Sequence, residues 1–305
     1  MQPKRLSKNG TIGIICTSHV ADAEKMALCA AAIERLGFKV KLGANIYKDT
    51  YGYAASAKER AADLNDMVKD GSVQMILFGG GEGAVEVLPH IDYESIRRHP
   101  KIFTSYSDGT SILNAIFAQT GLITYNGITP NKFTDLRYYD YRQFCMHFVE
   151  GHTAKTFVSD SKWRTIHNGV CEGTLLGGYA LLFGLMLSNS YFKYDTSKRY
   201  ILFLEDHEHF SQVGAVSTFL AFIEQNHFMR NVSGLLFGHY SENVPDDLLR
   251  SLARFGERNN IPVVYTDDFG HGTRHAILPI GMNAVLDAGK QTLEFKGGPP
   301  CQNLV

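Results

Sequence analysis

Unbroken apolar runs that alternate with helical periods constrain the fold of this chain more than any other feature. A strand buried on one face alternates apolar and polar residues, whereas a parallel strand covered on both faces reads as a continuous apolar stretch. Residues 11–18 (TIGIICTS) and 73–78 (VQMILF) are of the second kind, and residues 101–106 (KIFTSY) read as a further strand. Helical periods lie between them. Residues 23–36 bring Met26, Ile33 and Leu36 near one face and stop at Gly37. Ser56 and Glu59 form a capping box that opens a helix running to Asp70. Residues 110–121 place Ile112, Leu113, Ile116 and Phe117 together. Short strands at 39–43 and 122–127 complete this half. Such alternation implies a parallel sheet with helices on both sides.

Residues 130–167 break the pattern, being rich in Tyr, His, Arg and Lys without a clean period. A domain boundary is expected there, near Cys145, dividing the chain into residues 1–145 and 146–305. The second half carries strands at RYILFLE, SGLLFG, PVVYT and QTLEF and a helix over 213–225. Two helical segments against many short strands suggest a smaller α/β or α+β domain. There is no internal repeat and no low-complexity tract.

A length of 305 residues suits one large or two ordinary domains, and a formal charge of -1 argues against nucleic acid or an anionic membrane surface as the main partner. The apolar run near the N-terminus is too short for a signal peptide, and no segment approaches the ~18 apolar residues of a membrane span. The five cysteines, Cys16, Cys29, Cys145, Cys171 and Cys301, are odd in number and scattered, without a C-x-x-C pair. Reduced thiols in a cytoplasmic protein are expected.

Four places could carry chemistry. In KIFTSYSDGTSILNAI a strand ends, a Ser107-Asp108-Gly109 turn follows and a helix starts at once. That is the layout of a nucleophile elbow without the G-x-S-x-G form, and the Asp108 amide could stabilise an oxyanion. The alternative is that Ser107 and Asp108 simply cap the helix, and the local pattern alone favours it. The run Gly79-Gly80-Gly81-Glu82-Gly83 after VQMILF could cradle a phosphate, offer a second oxyanion donor or make a plain tight turn; it is neither G-x-G-x-x-G nor a Walker loop. Residues Glu205 to His209 crowd carboxylates and imidazoles, but no matching ligand motif accompanies them, so no metal is expected. Alternatively Glu205 alone, at the strand tip, orients a histidine. His271, in FGHGTRH after PVVYT, is a loop histidine suited to general-base work or to a structural hydrogen bond.

The order of these features resembles the LD-carboxypeptidase family of serine peptidases, a family that includes the microcin C immunity protein. The matching text is LPHIDYESIRRHPKIFTSYSDGT, GTLLGG, ILFLED and FGH, and residues 51–70 look more like the immunity branch than the murein branch. The resemblance implies an N-terminal flavodoxin-like parallel-sheet domain carrying the nucleophile and a smaller C-terminal α/β domain carrying Glu and His. It implies a Ser107–Glu205–His271 triad at a cleft between the domains, with the amides of Asp108 and Gly81 as oxyanion donors. It implies cytoplasmic homodimers that need no metal or cofactor and act on a small peptide or aminoacyl-nucleotide substrate.

Several positions depart from the family pattern. Ser105 stands where Gly is usual, Gly79 where the murein branch has Arg, Tyr179 where a G-G-N motif has Asn, and Ala215 where an Arg is usual. Anchoring of a substrate carboxylate by the upstream Arg is therefore absent. Glu82 could prefer a cationic group on the substrate. Trp163, the single Trp, could stack a nucleobase or simply pack. A non-catalytic nucleotide- or ligand-binding α/β protein is the competing reading from another class.

Overall fold

The computed structural model describes residues 1–151, 155–241 and 243–296, so Cys301 lies outside the described residues. The chain divides into two units, Met1–Thr153 and Ala154–Val305.

The first unit alternates strand and helix: β1 (Thr11–Ile15), α1 (Ala23–Arg35), β2 (Lys39–Leu42), α2 (Ala57–Lys69), β3 (Val73–Phe78), α3 (Tyr93–Arg98), β4 (Ile102–Ser105), α4 (Thr110–Thr120), β5 (Thr124–Asn126) and α5 (Tyr138–Phe144). Its strands lie in the order β2-β1-β3-β4-β5, with every pairing parallel. This is the flavodoxin-like order, in which the chain reverses direction across the sheet between β1 and β3. The apolar runs have the expected cause: Ile12, Ile14, Met75, Ile76, Leu77 and Phe78 are all wholly buried. The capping box forms, with the Ser56 hydroxyl accepting from the Glu59 amide at 3.3 Å and Glu59 Oε2 accepting from the Ser56 amide at 2.9 Å. Beyond α5 the chain continues as a π-helical turn, Cys145–Val149, so the segment around Cys145 belongs with the first unit.

The second unit comprises β6 (Arg164–His167), β7 (Val170–Tyr179), α6 (Ala180–Met186), β8 (Tyr200–Glu205), α7 (Val213–Gln225), β9 (Val232–Gly238), α8 (Asp246–Asn259), β10 (Val263–Tyr265), β11 (Leu278–Ile280), β12 (Asn283–Asp287) and β13 (Thr292–Phe295). Its mixed sheet runs β13-β12-β7-β8-β9-β10-β6. The four central strands are parallel and the outer three pair antiparallel. Among the described residues there are three α-helices where two helical segments were expected. The additional one, α8, buries Leu248, Leu252 and Phe255 at helical spacing, with Asp246 and Asp247 in its first turn and Arg258 in its last. No helix among the described residues is long and apolar enough to cross a membrane.

Candidate active site

In the first unit, β4 ends at Ser105, Tyr106 is extended, and Ser107 adopts the left-handed conformation with φ 59° before α4 begins. A non-glycine residue held there costs on the order of 1–3 kcal/mol, and such strain marks functional turns. The turn after β3 lies directly against it. A side chain at Gly80 would place its Cβ 2.9 Å from Ser107 Cβ and 3.1 Å from Oγ, so the elbow requires glycine at that position. Gly81, with φ 139°, is similarly confined by Ser18 and His19. Glu82 is exposed.

Asp108 does more than its amide suggested. Its buried Oδ2 accepts from Ser18 Oγ at 2.7 Å and from the Ala84 amide at 2.8 Å. One carboxylate therefore ties the loops after β1 and β3 to the elbow. Burial raises its pKa, while the bonds from Ser18 and Ala84 and the nearby Arg60 charge oppose that rise. Arg60 was not foreseen. It falls on the buried stripe of α2 with Leu64 and Met67, is 1% exposed, and donates to the carbonyls of Ala55, Thr17 and Gly83. It also pairs with Glu86. A charged residue at an apolar position of the helical period was the available signal. Ser105, where the family has glycine, donates from Oγ to the Phe78 carbonyl at 2.8 Å and so joins β4 to the end of β3.

In the second unit, Glu205 is the last residue of β8 and is wholly buried. Its Oε2 lies 2.7 Å from Nδ1 of His271. An ionised carboxylate there makes Nδ1 the donor and leaves Nε2 as the basic nitrogen. Edges and faces of Tyr179 and Phe210 flank the imidazole, with centroids 5.4 and 4.8 Å away. Tyr179, where asparagine is usual, is thus a neighbour of His271. Ala215 lies in the first turn of α7, part-exposed.

The rest of the acidic cluster separates by environment. Asp206 is buried and accepts from the His207 amide at 2.7 Å, which turns the chain away from the strand direction. Burial pushes its pKa up to about 6. His207 and His209 stack on one another rather than alternating across a strand, and burial lowers the His207 pKa. Among the described residues no group of three His, Cys, Asp or Glu side chains is arranged to hold a metal ion.

The loop bearing His271 is anchored by Asp268, the second residue of the acidic pair that follows β10. Its carboxylate accepts from Ser159 Oγ, the amides of Asp160 and Ser161, Trp163 Nε1 and Thr266 Oγ1, all within 3.0 Å. Trp163 is 4% exposed, spends its N–H on this carboxylate and packs against Phe157. On the other side, the His239 amide donates to the Phe269 carbonyl at 3.2 Å, and the His239 ring lies where a side chain at Gly272 would have to be.

A serine on a strained strand-to-helix turn and an imidazole held by a buried carboxylate are each features that recur in hydrolytic enzymes. The chain belongs to the LD-carboxypeptidase family, peptidase S66: the profile of the family's N-terminal domain matches residues 12–127 and that of its C-terminal domain residues 172–286. A Bacillus subtilis protein named "Probable murein peptide carboxypeptidase" is 30% identical over 97% of this chain and 95% of its own length. The crystal structure of an MccF-like protein from Bacillus anthracis superposes with a TM-score of 0.86 at 26% identity, covering 98% of this chain and 100% of that one. The microcin C7 self-immunity protein MccF in complex with aspartyl sulfamoyl adenosine shares the fold, with a TM-score of 0.85 at 23% identity and coverage of 98% and 99%.

Proposed function

We propose that this enzyme is a serine carboxypeptidase or amidase in which Ser107, Glu205 and His271 act as one triad on a small peptide or an aminoacyl-nucleotide conjugate. The observation that carries the reading is the left-handed backbone at Ser107, a strain that helix capping alone does not require. The Glu205–His271 pair supplies the base such a serine needs. Ser107 Oγ attacks the substrate carbonyl as its proton passes to His271 Nε2. The amides of Asp108 and Gly81 hold the oxyanion. Collapse breaks the C–N bond, and the leaving amine takes the proton from His271. Water, deprotonated by the same imidazole, then hydrolyses the Ser107 ester.

Two substrate classes fit this chemistry. The Bacillus subtilis relative favours a murein peptide, and the ligand of the MccF complex favours an aminoacyl-nucleotide amide. Assay of both, alongside labelling with a serine-reactive phosphonate, tests the proposal. Hydrolysis of either with label on Ser107 supports it, whereas a non-catalytic ligand-binding protein would neither turn over nor label. The fully packed indole of Trp163 gives no support to base stacking by that residue, while exposed Glu82 remains a candidate contact for a cationic substrate group. The scattered free thiols Cys16, Cys29, Cys145 and Cys171 support a cytoplasmic location. Homodimerisation rests on the family resemblance, and light scattering on the purified protein tests it.

A further inference from the structure

Arg60 is a buried charge that the chemistry proposed above does not use. A guanidinium leaves water at a large cost unless its N–H groups find partners. Nε donates to the Ala55 carbonyl at 2.9 Å, which folds the side chain back over the start of its own helix. Nη1 donates to the carbonyls of Thr17 and Gly83, and Nη2 meets the Glu86 carboxylate. Thr17 lies in the loop after β1, whereas Gly83 and Glu86 lie in the turn after β3. These strands are parallel neighbours, so both loops leave the sheet at the same edge and one planar group spans them.

Asp108 grips the same two segments from the other side. The peptide joining Gly83 to Ala84 is trans, so its carbonyl and its N–H point in opposite directions. Arg60 takes the carbonyl at 3.1 Å and Asp108 Oδ2 takes the N–H at 2.8 Å. That peptide plane is therefore fixed between two opposite charges. The loop after β1 repeats the arrangement: Arg60 holds the Thr17 carbonyl, and Asp108 accepts from the Ser18 hydroxyl at 2.7 Å. Between these holds lie the glycines of the turn. A side chain at Gly81 would place its Cβ 2.8 Å from Ser18 Cβ, and one at Gly80 would place its Cβ 2.9 Å from Ser107 Cβ. The turn is thus wedged between Ser18 and the elbow, and Arg60 secures both the loop that carries Ser18 and the far end of the turn.

We infer that Arg60 is a positioning residue for hydrolysis: its guanidinium, working against Asp108, holds the Gly80–Gly81 segment where the Gly81 amide meets the oxyanion formed at Ser107. This rests on the triad and oxyanion donors proposed above. Arg60 touches neither substrate nor serine and acts through the backbone it holds. A displacement of about 1 Å in such a segment can cost on the order of 100-fold in rate. Lysine keeps the charge but not the planar fork, and so cannot hold the Thr17 and Gly83 carbonyls while bonding to Ala55.

The test compares wild type with Arg60→Lys, Arg60→Ala and Met67→Ala, the last a core change on the same buried stripe of α2. Turnover is expressed per Ser107 labelled by a serine-reactive phosphonate at saturation, so that unfolded protein does not count. Both Arg60 variants should lose about 100-fold in kcat per labelled serine with KM changed less than about threefold, the pattern of an interaction made in the transition state. Guanidinium chloride well below denaturing concentrations should restore Arg60→Ala about tenfold, and urea should not. Met67→Ala should melt earlier yet keep kcat per labelled serine within about twofold. Amide hydrogen exchange should quicken over residues 79–84 in Arg60→Lys and stay unchanged in α4. An unaltered kcat per labelled serine in Arg60→Lys, an equal loss in Met67→Ala, or unaltered exchange over residues 79–84 overturns the inference. A wild-type protein that neither labels nor turns over overturns the hydrolase reading instead; faster exchange in Arg60→Lys would then still support the hold on the turn, and unaltered exchange would overturn it.

Discussion

One oxygen of Glu205 holds His271 twice: Oε2 lies 2.7 Å from the imidazole Nδ1 and 3.2 Å from the backbone nitrogen of the same residue. The carboxylate thereby sets both the ring tautomer and the position of the main chain that carries it. Glu205→Gln keeps the shape and loses the charge that stabilises an imidazolium. Turnover should fall by up to roughly 10,000-fold, by analogy with an Asp→Asn change in a serine triad. His271→Ala should cost about as much, and the double variant should be little worse than either single, because triad members act as a unit. Strictly additive losses in steady-state kinetics would separate the two residues from a common role.

Ser107 carries a backbone penalty as well as a hydroxyl. Ser107→Ala and Ser107→Gly should both reduce hydrolysis by at least about 1,000-fold. They should differ in stability, however. Glycine accepts a φ of 59° freely, and the left-handed conformation costs an L-residue roughly 1–2 kcal/mol. Denaturant unfolding should therefore find the glycine variant about 1 kcal/mol more stable than the alanine variant. Equal stabilities would mean that the elbow is relaxed.

Asp108 joins three loops through its side chain, so its loss should be felt beyond the elbow. Asp108→Ala leaves the Ser18 hydroxyl and the Ala84 amide without their acceptor. The expected destabilisation is about 2 kcal/mol or more. Activity should fall with it, as the turn after β3 is no longer held against Ser107. A variant of wild-type stability by thermal unfolding would contradict the tie.

Asp206 supplies a pH signature with a definite sign. Burial raises its pKa from 3.8 to about 6 in the folded chain. The folded state then holds the proton more tightly than the unfolded state does. That contribution to stability is fully present below about pH 4 and is lost as the pH rises through 6. Asp206→Asn keeps an acceptor for the His207 amide and removes the buried charge. It should stabilise the protein at pH 8 by about 3 kcal/mol, taking ~1.4 kcal/mol per pKa unit. The gain should shrink to nothing near pH 4. A pH-independent difference between the two proteins would refute the assignment.

Local features of the chain were legible because their causes are local. The apolar runs of β1 and β3, the Ser56–Glu59 box and the serine placed between a strand and a helix all follow from neighbours in sequence. Helix α8 was equally legible and was passed over: Leu248, Leu252 and Phe255 recur at helical spacing, but polar residues between them hide the apolar stripe from a reading based on continuous runs. A metal set built from alternate residues of 205–209 would require a strand that continued beyond Glu205. β8 stops at Glu205, where Asp206 captures the next amide.

The amino-acid sequence by itself determined the alternating architecture, the parallel character of the first sheet and the strand-tip and loop positions of Glu205 and His271. Tertiary structure alone decided that these two residues, 66 positions apart, share a hydrogen bond, that Arg60 leaves solvent to hold three carbonyls, and that Asp268 gathers five donors around Trp163. The physical reason is that periodicity and capping are short-range effects written into consecutive residues. A buried charge, by contrast, is tolerated only where strand order and register deliver its partners, and no local window of sequence contains them.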